Sequence, residues 1–143
     1  MVKTTTYKDI MSNLKIITSL AELKQVARPR VETVDVEAYG ISLYVRGLTG
    51  EERGKMMSRG GKVIIRKDES KEIDLSGVKN GDGLLASFGL VLDEAGTQQM
   101  YSGRRAEHDA SQLPAEILEP VVRTVRELSG MVEDAVEEEK KES

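Results

Sequence analysis

Between Val31 and Arg46 the chain alternates apolar and polar positions with a period of two. Val34, Val36 and Ala38 are set against Thr33, Asp35 and Glu37, then Ile41, Leu43 and Val45 against Ser42, Tyr44 and Arg46. Alternation of this kind belongs to half-buried strands. Tyr39-Gly40, between the two runs, supplies a residue that takes positive φ at no steric cost, so a β-hairpin is predicted. Thr49 and Glu52 then stand at capping-box spacing, with Glu51 and Glu52 at the helix end that favours acids. The helix they begin should run to about Arg59 and stop at Gly60-Gly61.

Helical spacing governs the rest. Thr6 and Asp9 mark a first helix, with Tyr7, Ile10, Met11, Leu14 and Ile17 on one face. Ser19 and Glu22 repeat the signal for a short helix burying Leu20, Leu23 and Ala27 before Pro29. Lys62 to Arg66 reads as a short strand or as the edge of a loop. Residues 67–83 are charged and Gly-rich, broken only by Ile73, Leu75 and Val78, which predicts a mobile excursion with weak anchors. Leu84, Leu85, Phe88, Val91 and Leu92 share a helical face, and Asp93 to Gly96 reads as a turn. A short helix follows from Ser102 through Ala110. Pro114 suits the first turn of the last helix, which Pro120 either kinks or restarts. Along that helix Leu118, Val121, Val125, Leu128, Val132 and Ala135 recur at steps of three and four, a seam that packs on its own domain or on a partner helix.

These elements imply an α+β fold: a small antiparallel hairpin or sheet packed with several helices, in one domain over residues 1–136. An acidic, frayed tail follows over 137–143. A chain of 143 residues can bury a core without staples, and with no Cys it has no disulfides and no thiolate chemistry. One Phe, four Tyr and no Trp leave few platforms for stacking bases. No apolar run is long enough for a membrane span or a signal-peptide core. The net charge of −4 is unevenly spread: ten Lys or Arg face five acids from Lys24 to Lys67, and seven acids face two Lys from Glu127 onward. The two ends of this imbalance read as solvated faces or as a basic patch for an acidic partner.

Signatures of chemistry are sparse. Gly60-Gly61-Lys62 resembles part of a phosphate loop, but Met56 stands where the first Gly is needed and Val63 where a hydroxyl should bind magnesium. Gly81-Asp82-Gly83 lacks the third glycine of a dinucleotide fingerprint, where Ala86 stands. His108 is the sole histidine and lies in a polar run, so no histidine-based metal cluster can form. No catalytic residue, cofactor site or metal site is predicted. Arg104-Arg105 and the set Lys55, Arg59, Lys62 and Arg66 could touch phosphate, yet their density is too low for a dedicated nucleic-acid binder.

The order of elements carries a resemblance. A short helix is followed by Val31-Glu32-Thr33-Val34-Asp35-Val36, a Gly-centred turn, Ile41-Ser42-Leu43-Tyr44-Val45-Arg46, and Leu48-Thr49-Gly50-Glu51-Glu52-Arg53. Further on come the apolar stretch Leu84 to Val91 with its acidic Gly turn and the acidic finish from Leu128 to Glu138. This sequence resembles the tail assembly chaperones of long-tailed phages and prophages. The resemblance implies a non-enzymatic factor in the host cytoplasm that holds the tape measure protein, helps bring tail tube subunits to it and is absent from the finished particle. It implies no cofactor, nucleic acid or membrane; self-association stays open. The seam formed by Leu118, Val121, Val125, Leu128, Val132 and Ala135 is then the expected contact with an apolar-faced partner helix. A permanent structural component of the tail, such as a tube or completion subunit, is the alternative.

Overall fold

The computed structural model describes residues 14–131. The helix expected from Thr6, as far as residue 13, the tail at 137–143, Val132 and Ala135 lie outside them, while Leu14 and Ile17, expected on the face of that helix, are described and are not helical. The architecture is α+β: five helices, a three-stranded antiparallel sheet and a separate two-stranded one.

Strands β1 (Val31–Val36) and β2 (Ile41–Arg46) form the expected hairpin, in a register that sets Val34 opposite Leu43 and Val36 opposite Ile41. A 3-10 turn over Glu37–Tyr39 joins them and closes on Gly40, whose φ of 64° shows why glycine is needed there. Before the hairpin, α1 (Leu20–Val26) begins at Ser19, whose side chain accepts from the Glu22 N–H at 3.2 Å. After it, α2 (Gly50–Ser58) opens on the full capping box between Thr49 and Glu52. Arg59 ends α2, and Gly60 at φ 117° turns the chain away.

Residues 67–83 hold more structure than their composition suggests. Strand β3 (Lys62–Ile65) pairs with β4 (Lys71–Asp74), burying Ile73, and Val78 is buried beyond it. Helix α3 (Gly81–Gly89) follows and is almost wholly interior. The helical spacing of Leu84 to Leu92 extends too far, because Leu90 and Val91 leave the helix as β5 (Leu90–Val91), which adds to the sheet beside β2 through Tyr44↔Val91 and Val45↔Leu90. Asp93 to Gly96 forms the expected turn, with Gly96 donating to the Asp93 carbonyl at 3.1 Å. Helix α4 (Ala106–Ser111) begins a turn later than Ser102. Helix α5 (Ala115–Leu128) runs through Pro120 as one helix, and Gly130 at φ 74° follows its end.

The core lies where α3 and α5 cross over the hairpin. Met56, Val45, Leu85, Leu90, Val121 and Val125 are almost wholly screened from water there. Each such side chain contributes roughly 1.5–3 kcal/mol by leaving water. Because side chains alternate across a strand, Arg46 points to the face opposite Val45. There it is covered by the turn at Gly96 and by α2.

Candidate functional site

The six positions of the predicted seam separate once placed. Val121 and Val125 are completely buried against the domain's own core. Leu128 is half-buried beside the end of β2, where its carbonyl backs onto Gly47 so closely that a Cβ there would sit 2.8 Å from the oxygen. Val132 and Ala135 are not among the described residues. Leu118 alone of the described four lines an open cleft. The expectation of a partner groove along this seam is therefore corrected: its centre is occupied by α3 and the hairpin. Spacing at three and four reports one apolar face of a helix, and the same stripe serves intramolecular and intermolecular packing alike.

The cleft that Leu118 joins has a volume of about 890 Å³. The β3–β4 hairpin forms one wall, and α5 with the start of α3 forms the other. Ile64, Ile73, Leu75 and Val78 give it an apolar floor, and Asp74, Ser76 and Asp82 a polar rim. Arg126 spans the two walls, its Nη2 donating to the Ile73 carbonyl at 3.3 Å. The backbone N–H of Ser76, ahead of its hydroxyl, holds the Asp74 carboxyl below the usual carboxylate range. A carboxyl shifted that way is a fixed charge at neutral pH rather than a proton donor. Glu72 also lines the cleft, and it is buried and paired with Arg66.

A second, smaller pocket of about 510 Å³ is lined by Arg59, Lys79, Asn80, Arg104, Glu107 and His108. Two backbone approaches assemble it. Gly60 and Gly77 cross so tightly that a Cβ on Gly60 would lie 2.7 Å from the Gly77 carbonyl oxygen, which brings the end of α2 against the loop before α3. Gly83 meets α4 in the same way, 2.8 Å from the Glu107 carbonyl oxygen by the same measure. Arg59 donates to Glu107 at 2.5 Å across this junction. Sequence reasoning singled out Arg59 and Arg104 separately but had no signal joining them to Lys79 and His108.

The third feature is open apolar surface. Helix α1 buries none of its residues, although it is correctly capped. Leu20 is 65% exposed, Leu23 48% and Val26 70%. The expectation that α1 buries Leu20 and Leu23 is overturned, because none of the described elements covers it. Strand β3 likewise shows Val63, Ile64 and Ile65 to water. Among the described residues no group of three or more His, Asp or Glu could hold a metal ion, and no helix is long and apolar enough to cross a membrane. Comparison with known protein families, with characterised proteins and with solved structures gives no match to this chain.

Proposed function

We propose that the chain is a tail assembly chaperone of a long-tailed phage or prophage, holding apolar-faced helices of the tape measure protein and helping to bring tail tube subunits to them. The observation that carries this reading is α1: a capped helix whose Leu20, Leu23 and Val26 all stand in solvent. An apolar stripe of this kind costs solubility until a partner covers it, and one helix laid along another is the simplest cover. The flanking charges state what the partner should carry. Lys24 lies in the helix, and Arg28 and Arg30 follow its end, with Glu22 as the acid among them, so the fitting helix is apolar on one side and acidic at its margins. The sequence resemblance supplies the identity of that helix as part of the tape measure protein.

Co-expression with the tape measure protein tests the reading. The intact chain should co-purify with it, and Leu23→Asp with Val26→Asp should abolish the complex while leaving the far-ultraviolet circular dichroism unchanged. Retained binding by the folded double variant removes α1 as the contact. Mass spectrometry of purified particles tests the role itself, because a chaperone is missing from them and a tube or completion subunit is present in stoichiometric amounts.

A further inference from the structure

We propose that the smaller pocket is an oxyanion site for a small phosphate ester or diphosphate. Three cations and the sole histidine converge on it from the end of α2, the loop before α3 and the start of α4, segments far apart in sequence. Only one of these charges is already used, Arg59 on Glu107. Among the described residues Lys79 and Arg104 have no hydrogen-bond or ion-pair partner. With Arg59 and Glu107 cancelling, the pocket keeps an excess of two positive charges, in a chain whose net charge is −4.

Asn80 adds a second kind of donor group. It sits in left-handed backbone at φ 56°, and its side chain makes no hydrogen bond to the first turn of α3, so its amide is not spent on capping that helix. Asn is among the few non-glycine residues that take this backbone readily. The side-chain amide of Asn80 therefore stands on the pocket lining beside Lys79 as a further donor.

Phosphate fits better than carboxylate. A carboxylate is a flat, two-oxygen group that a single guanidinium can satisfy. The two unspent cations, Lys79 and Arg104, arrive from separate segments and match a group that carries up to two charges on three peripheral oxygens. A nucleic-acid backbone would need the basic track to continue beyond the pocket. Here the neighbouring cations are met by acids, Arg105 by Asp109 and Lys55 by Glu51.

Titrating inorganic diphosphate into the full chain, read by amide chemical shifts and by calorimetry, tests the proposal. One saturable site is expected, with shifts concentrated at Arg59, Lys79 to Gly83 and Arg104 to His108. Lys79→Glu combined with Arg104→Glu should weaken it by at least about tenfold, and Lys24→Glu on α1 should leave it unchanged. Both pocket side chains are exposed, so the same spectra report that the variant is folded. No saturation at millimolar diphosphate, or affinity insensitive to the double charge reversal, overturns the site. Binding of a short single-stranded oligonucleotide that diphosphate fails to displace overturns the small-ligand assignment.

Discussion

The guanidinium of Arg46 grips the carboxylate of Glu52 with both arms, Nη1 to Oε1 at 2.9 Å and Nη2 to Oε2 at 2.7 Å. Glu52 also accepts from the Thr49 N–H at 2.9 Å and from Gln99 at 3.2 Å. One carboxylate therefore caps α2, joins it to the end of β2 and ties in the strand-like segment beside β5. Both residues are buried, at 6% and 9% exposure. Removing either one leaves the other as an unpaired interior charge. Glu52→Ala should destabilise the protein by about 3–5 kcal/mol for that reason, with roughly 1 kcal/mol more from the lost cap.

Replacing both members should cost less than the two single changes summed. Arg46→Met with Glu52→Leu leaves no stranded charge, and apolar side chains of similar size often substitute well for a buried pair. Urea midpoints of the two singles and the double close a mutant cycle. Simple additivity would mean that the two groups do not depend on one another, contrary to the geometry.

Gly89 ends α3 where α5 crosses it. A Cβ at this position would lie 2.2 Å from Cγ2 of Val125 and 3.1 Å from the Arg46 carbonyl oxygen. Gly89→Ala should gain up to about 1 kcal/mol in helix propensity. It should lose roughly 1–3 kcal/mol by forcing the crossing apart. Overpacking wins because Val125 is completely buried and has no room to retreat. The expected outcome is a lower thermal midpoint; a higher one would show that α5 shifts freely.

Much of this fold is legible in the sequence where a local signal decides the outcome. Ser19, Thr49 and Gly40 announce their elements through backbone needs that few other residues meet, and Val34 to Val45 through alternation. Residues 71–74 are opaque because Glu72 reads as a solvent residue until Arg66, at the far side of a turn, is known to neutralise it. Leu90 and Val91 are opaque for the opposite reason: their apolar character suits helix and strand equally, and pairing with β2 settles the matter. The pocket at Arg59 is illegible for a third reason, since the glycine crossing that assembles it is a tertiary event. The α5 stripe is visible as a stripe, but which body covers it is not a property of spacing.

Acid should destabilise the protein partly through Asp93. The Thr97 hydroxyl, ahead of the Gln98 N–H, holds this carboxyl below its ordinary value of 3.8. In the unfolded chain the group is protonated first as pH falls, so the unfolded state then binds more protons and stability declines. The stabilising share is complete above 3.8 and disappears as pH drops through the lower folded value. Thermal midpoints measured from about pH 5 to about pH 2 should fall less steeply in Asp93→Asn than in the parent. Identical slopes would remove the Asp93–Thr97 contact from the acid response.

Helices α1 and α5 look alike as apolar stripes, and their substitutions should separate them cleanly. Val125→Asp places an unpaired charge at a site with no exposure, so the chain should lose its cooperative unfolding transition or much of its midpoint. Leu23→Asp and Val26→Asp alter a face that touches little of the domain, and each should stay within about 0.5 kcal/mol of the parent. The α1 variants should also remain soluble at higher concentration, because they remove exposed apolar area. Denaturant unfolding beside a partner pull-down then distinguishes loss of fold from loss of contact. A large stability loss from the α1 changes would mean that this helix is covered by its own chain, and the partner surface would have to be sought along the cleft beside Leu118 instead.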